Sequence, residues 1–318
     1  MSYLIISFGQ DGYITAQKLY KMKIPFMVLA RRSQSVSEKL NRNPHLKDFV
    51  VYSEMIDIST LIELKKSFGF EEILNFAANS FVQDSITNFK SYVNNNSAIV
   101  WEILKFLQFE TGISYFQPLS SEILSDSDNG EFKPRNSYGL GKLIDYHSCR
   151  ISAETHSLNI CTCIMFNHES KYRPDQFFTK KIIKGLFDKS KSSLNIYNSK
   201  SYRDWGYAPE FVDLILNRPR YNGFQLTQLG TGFSMTVEDF VDYVFKHMSL
   251  DFEKKEVDGL LRWRSATLDI NEQSRDIEDA SRIKVAERKE VKKSFKRLPK
   301  LHTSSLVRQL LDDFIEQT

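Results

Sequence analysis

The chain predicts an α/β fold built on a doubly wound parallel sheet. Short apolar runs of strand character alternate with amphipathic stretches of helical spacing through its first half. The first of these runs ends in a glycine-bearing turn, Phe8-Gly9-Gln10-Asp11-Gly12-Tyr13, that leads into a helix. At 318 residues the chain also exceeds a common domain of about 100 to 200 residues, which suits two lobes.

The elements follow in order. Residues 3–7, 25–30, 72–76 and 113–118 read as buried strands, each too apolar for a sheet with one wet face. Between them, residues 14–22, 59–68 and 93–109 carry apolar side chains at helical spacing. A further pair, a helix over 138–157 and a strand over 159–166, continues the alternation and makes the sheet Rossmann-type. After Asn167 the pattern loosens, with helices expected near 177–187, 237–247 and 304–316.

Composition narrows the function classes. Hydrophobic residues at 41% and charged residues at 26% are those of a globular protein, and no apolar run reaches the roughly 18 residues of a membrane span. A net charge of +3 does not call for nucleic acid as partner. The basic run 282–300, nine Lys or Arg against two Glu, holds a single aromatic, Phe295, and reads as a solvated helix face and the loop after it. Cys149, Cys161 and Cys163 lack the spacing of a disulfide framework or a zinc site, so no metal is expected. A start that enters a strand directly, together with these cysteines, points to the cytoplasm.

The turn at Gly9 and Gly12 suits a phosphate cradle, because glycines admit a pyrophosphate and a helix N-terminus supplies N–H donors. Arg31 and Arg32 follow the second strand, where the adenosine ribose of a dinucleotide lies. A guanidinium there favours the 2′-phosphate of NADP. Tyr138 and Lys142 stand at i and i+4, eighteen residues after Ser120, so the ammonium favours a tyrosinate able to take a hydroxyl proton during hydride transfer.

These residues, with the blocks 74–80, Ser120-Ser121-Glu122, Pro134-Arg135-Asn136-Ser137-Tyr138, Asn167-His168-Glu169-Ser170, Phe178-Thr179-Lys180-Lys181-Ile182 and Arg203-Asp204-Trp205-Gly206, resemble the extended short-chain dehydrogenase/reductases, and among them the GDP-mannose 4,6-dehydratase family. The resemblance implies an NADP-dependent hydro-lyase acting on a GDP-hexose. Tyr138 would deprotonate the C4 hydroxyl, Ser120 would bond the C4 oxygen where the family has threonine, and Glu122 would remove the C5 proton before water leaves from C6. A plain reductase or epimerase needs no carboxylate beside the catalytic hydroxyl, so Glu122 separates the readings. The resemblance also gives Gln10 and Asp11 with Gly9 and Gly12 to the cofactor's phosphates, Asp57 and Ile58 to its adenine, and Ala77 and Ala78 to its close approach. It gives Asn167, Lys181, Arg203 and Arg264 to the nucleotide-sugar. The implied domains are an NADP-binding sheet domain over 1–166, to which 203–232 returns, and a smaller, interleaved substrate-binding lobe over 167–318. A homodimer or homotetramer is implied.

The chain departs from the family at several places. Ile6 stands where the first glycine of the phosphate loop falls, and is expected to shift the pyrophosphate or weaken dinucleotide affinity. Lys171 and Tyr172 precede Arg173 after the Asn-His-Glu-Ser block, Ser265 and Thr267 replace a proline and a glutamate, and the segment after Arg32 is short. The alternative readings are a GDP-4-keto-6-deoxyhexose reductase or a nucleotide-sugar epimerase on the same scaffold, and a non-catalytic cofactor-binding protein.

Overall fold

A computed structural model describes residues 1–79, 89–124, 131–134, 136–188, 193–266, 268–273 and 285–316. Ser80, Arg135, Thr267 and residues 282–284, which belong to stretches singled out above, lie outside the described residues.

The chain divides into two compact units, Met1–Met165 with Ile215–Leu229, and Phe166–Leu214 with Gly230–Thr318. The first holds a sheet of seven strands, all parallel. These are β1 (Tyr3–Ile6), β2 (Phe26–Ala30), β3 (Val50–Tyr52), β4 (Glu72–Asn75), β5 (Ser114–Ser120), β6 (Asn159–Met165) and the strand Phe224–Leu229, in the order β3-β2-β1-β4-β5-β6 and then 224–229. The helices of this unit are α1 (Gln10–Lys21), α2 (Gln34–Arg42), α3 (Ile58–Phe68), α4 (Phe89–Phe109) and α5 (Ser137–His156). Leu4, Ile6, Leu29, Leu61, Ile73 and Ile103 are among the side chains of its core.

Local chemistry explains the boundaries. Asp57 caps α3 by accepting from Thr60 N–H at 2.9 Å, and Gly69 ends it at a φ of +73°, which favours glycine. Asn136 caps α5 by accepting from Gly139 N–H at 2.8 Å. Helix α1 begins at Gln10, ahead of the amphipathic pattern, so Gln10, Asp11 and Gly12 form its first turn.

Two elements that the hydrophobic pattern passes over are α2 and β3. The first buries only Val36 and Leu40, and the second is a three-residue edge strand, so neither writes a strong period. Ile6 is the last residue of β1, pairs with Leu29 and Asn75, and is fully buried, which contributes about 1.5–3 kcal/mol.

The stretch that rejoins the sheet, Ile215–Leu229, is narrower than 203–232. Arg218 holds it by an ion pair to buried Glu72 at the start of β4, its guanidinium 4.6 Å from the centre of the Phe116 ring. Residues on either side belong to the second unit. Buried Asp204 accepts there from Thr231 N–H and Oγ1, Gly232 N–H and Ala286 N–H. Burial raises the carboxyl of Asp204 above its ordinary range, and these donors work against that.

In the second unit a four-stranded sheet runs Phe252–Val257, Leu260–Ser265, Asp269–Glu272, Ser193–Ile196. It shares a core of Trp263, Ile270, Leu194 and Ile196 with the helices Phe178–Phe187, Val237–His247 and Thr303–Ile315. The short strands of this unit were not legible in the sequence, because two- and three-residue strands exist only through their partners.

Candidate active site

The sheet reverses direction of growth between β1 and β4, and ligands bind such sheets beyond the strand ends at that point. Three segments converge there. Ser7 N–H donates to Leu29 O of β2 at 2.9 Å, and Phe76 N–H donates to Ile6 O at 3.0 Å. The turn 7–9, the Arg31-Arg32 step after β2 and the Ala77-Ala78 step after β4 are thereby neighbours.

The turn is tight. A side chain on Gly12 would place its Cβ 2.1 Å from Ser7 O, so glycine lets α1 pack on the end of β1. Gly9 precedes the helix, and a Cβ there would meet Ser7 Oγ at 3.5 Å, an ordinary contact. Ser7 itself adopts a φ of +87°. The Arg32 guanidinium lies 4.3 Å above the Tyr52 ring of β3, an arrangement that holds it in place by cation–π attraction. Ala77 N–H donates to Asn75 Oδ1 at 3.1 Å. The Asp57 carboxylate accepts from Thr60 N–H, Thr60 Oγ1 and Ser59 Oγ, and these donors, the Thr60 N–H first, hold it below the ordinary carboxylate range. Ile58 N–H donates to Glu102.

The second group lies where β5 meets α5. Ser120 ends β5, and its Oγ accepts from Glu122 N–H at 3.2 Å. Glu122 Oε2 accepts from Asn136 Nδ2 at 2.9 Å, and Asn136 Oδ1 in turn caps the helix that carries Tyr138. One asparagine therefore ties the carboxylate to the turn that presents the phenol. Gly139 makes this possible, since a Cβ there would lie 2.5 Å from Glu122 O. Tyr138 and Lys142 are both buried, on the same helix.

Lys142 Nζ donates to Pro118 O at 3.2 Å and to Asp145 Oδ2 at 3.4 Å, and Asp145 Oδ1 accepts from buried Ser97 Oγ at 2.7 Å. Pro118 O also accepts from Gln117 Nε2, whose Oε1 accepts from Asn75 Nδ2. Burial, then the Asp145 charge, pushes the nearby Cys149 thiol well up, which keeps it from acting as a nucleophile.

In the second unit Asn167 begins the strand Asn167–Glu169 and pairs with Trp205, two residues after Arg203. Arg203 donates to Tyr202 O. Lys181 Nζ donates to Asn195 O at 2.9 Å, and Asn195 belongs to the four-stranded sheet that carries exposed Arg264. Lys181 and Arg264 are thus tied to one sheet, and Asn167 pairs two residues beyond Arg203. Arg173 forms an ion pair with buried Glu169 at 3.3 Å, and its guanidinium lies 3.6 Å from the Phe177 ring centre.

Sequence reasoning met Asn136 only within the block that leads to Tyr138 and gave it no role, and it did not single out Asp145, Ser97, Ser7 or Lys39. Asparagine just ahead of a helical pattern is an N-cap signal, so Asn136 was findable. The others matter through partners distant in the chain.

Strand order, the reversal at β1 and β4, and a Tyr–Lys pair on the helix after β5 place the chain among the Rossmann-type extended short-chain dehydrogenase/reductases. Residues 7–310 match the GDP-mannose 4,6 dehydratase family, and the chain belongs to it. The GDP-mannose 4,6 dehydratase of Drosophila melanogaster is 25% identical over 273 residues, 78% of this chain and 68% of that one. GDP-mannose 4,6 dehydratase 1 of Arabidopsis thaliana is 28% identical over 269 residues, 77% and 74% of the two chains. Among solved structures, UDP-glucose 4-epimerase from Thermotoga maritima with UDP-glucose superposes with a TM-score of 0.80 at 13% identity, over 99% of each chain. The dTDP-glucose 4,6-dehydratase of Bacillus anthracis with NAD gives 0.76 at 14%, over 99% of this chain and 97% of that one. At such identities these two show the fold alone.

Proposed function

We propose that this chain catalyses the NADP-dependent 4,6-dehydration of a GDP-hexose, GDP-mannose or a close relative. The product is the GDP-4-keto-6-deoxy sugar, a precursor for deoxysugar and surface polysaccharide synthesis in the cytoplasm. Membership of the family supports the reaction class. The single observation that carries the residue roles is the Glu122–Asn136 hydrogen bond, which sets a carboxylate beside the start of the Tyr138 helix.

The residues fit a dinucleotide. Gly9 stands at the N-cap of α1, Gly12 lets that helix pack on the end of β1, and Gln10, Asp11 and Gly12 form the turn that would face the phosphates. Arg31 and Arg32 would take the 2′-phosphate, with Ala77 and Ala78 leaving room at the end of β4 and Asp57 and Ile58 bordering the adenine. A bound nicotinamide supplies a hydride acceptor for C4 and then a hydride donor for C6. Tyr138 takes the C4 hydroxyl proton, Lys142 keeps positive charge on its helix, and Ser120 bonds the C4 oxygen. Glu122 takes the C5 proton, acidified by the new ketone, and returns it to the departing C6 hydroxyl, which leaves as water; as hydride reaches C6 a proton returns to C5, balancing the one that Tyr138 took. Asn167, Lys181, Arg203 and Arg264 hold the GDP moiety, cations against a diphosphate.

A second copy of the chain would cover the groove of α4 and α5 lined by Trp101, Leu104, Leu140, Ile144 and Ile151, where Trp101 is 45% and Ile151 56% exposed. This supports a homodimer or homotetramer.

The test is incubation of the protein with GDP-mannose and catalytic NADP, following the 4-keto chromophore in base and the loss of one water by mass. Glu122→Gln should lower turnover by about 10²–10⁴-fold. Product that forms only with added stoichiometric NADPH overturns the dehydratase reading, and an unchanged Glu122→Gln rate overturns the base assignment.

A further inference from the structure

Lys39 of α2 donates from Nζ to the carbonyl oxygen of Phe8 at 2.8 Å. The N–H of the same peptide, that of Gly9, donates to Ser7 Oγ at 3.2 Å. The Phe8–Gly9 peptide plane is therefore gripped at both ends by side chains. Ser7 sits at a φ of +87°, a region that costs a non-glycine residue energy and persists only where its surroundings hold it. The restraint comes from α2. The Tyr13 hydroxyl of α1 donates to Lys39 O and accepts from Asn43 Nδ2, and its ring lies 5.7 Å from the Lys39 ammonium. Lys39 is thus wedged between α1, α2 and the turn.

We propose that Lys39 is the positioning residue of the phosphate turn: its ammonium sets the Phe8–Gly9 peptide plane and adds a third positive charge, with Arg31 and Arg32, for a dinucleotide phosphate. This rests on the reading of that turn as a dinucleotide site. The charge is conditional. Burial brings the Lys39 ammonium down to about 8, against a small opposing effect of Glu38 on its own helix. Among the described residues, Glu38 on its own helix and Tyr13 of α1 are titratable groups that face it, and His45, from the turn packed on α2, stacks on Tyr20. Lys39 is charged below about pH 8 and neutral above it. Dinucleotide affinity therefore falls as pH rises through that value, while the arginines stay charged.

The experiment is equilibrium titration with NADP and with NADPH, read by nucleotide fluorescence and calorimetry, from about pH 7 to about pH 9.5. The parent is compared with Lys39→Met and Lys39→Arg, and thermal unfolding checks that each folds. The parent should lose affinity several-fold across about pH 8. Lys39→Met should bind about tenfold more weakly at about pH 7, the loss of one charge-assisted contact, and show no further fall. Lys39→Arg should keep most of the affinity and flatten the profile. A Lys39→Met protein that binds within about twofold of the parent and follows its pH profile overturns the proposal. Should Lys39→Met not fold, a flat profile in the parent overturns it, as does Lys39→Arg falling like the parent. A parent that binds neither nucleotide overturns the dinucleotide reading and this proposal together, a result distinct from normal binding indifferent to Lys39.

Discussion

The Lys142 ammonium lies 3.4 Å from the Asp145 carboxylate, and neither side chain is more than 4% exposed. Charges so deep in a protein are tolerated only when paired and hydrogen-bonded, and here Pro118 O and Ser97 Oγ complete the set. Asp145→Ala should leave a buried ammonium without its countercharge and cost about 3–5 kcal/mol. Asp145→Asn, which keeps volume and an acceptor for Ser97, should cost less. Urea midpoints at constant slope measure both, and an alanine variant within about 0.5 kcal/mol of the parent contradicts the pairing.

Gly139 offers a sharper test of how Glu122 is placed. Alanine is the better helix former by about 1 kcal/mol, so in an open helix Gly139→Ala would stabilise. Its Cβ here would meet Glu122 O at 2.5 Å, a backbone atom that cannot swing aside. The expected outcome is a loss of about 1–3 kcal/mol in a denaturant melt, with turnover reduced because Glu122 is pushed from Asn136. A stabilised, fully active variant contradicts this geometry.

At Ser7 two effects oppose each other. Ser7→Ala keeps the strained φ and loses the bond from Gly9 N–H, costing about 1 kcal/mol. Ser7→Gly loses the same bond but relieves the strain, so it should be the more stable of the two variants. Equal stabilities would show that the turn stores no strain.

Lys39 also writes a pH signature into the ligand-free protein. Its folded value of about 8 lies below the ordinary 10.5, so between these values the unfolded chain binds more protons than the folded one. Stability should therefore rise with pH across that window, and the rise should be absent in Lys39→Met. Chemical denaturation at a series of alkaline pH values reads it, and identical slopes in the two proteins would count against a buried ammonium at this position.

The legible part of the site was the part written locally. Tyr138 and Lys142 sit one helical turn apart, Gly9 and Gly12 flank the start of α1, and Ser120 ends a strand whose apolar run is plain. Ile6 shows the limit. A glycine pattern makes it the suspect residue, yet it is an ordinary strand residue, and the left-handed backbone falls one position later, at Ser7. Counting glycines locates a turn without saying which residue bends.

The sequence by itself determined the alternation of strands and helices, the glycine turn, the tyrosine–lysine pair and the family resemblance, because each depends on neighbours within a turn or a strand. Tertiary structure decided the rest. It brought Asn136 to Glu122, Ser97 to Asp145, Lys39 to Phe8 and Arg218 to Glu72, contacts that span from 14 to 146 residues of chain. It also placed the short strands of the second unit and drew Asp204 to Thr231, Gly232 and Ala286. The reason is physical. Periodicity reports which face of an element is buried, whereas buried polar partners are chosen only when packing removes water and leaves each donor one acceptor within reach.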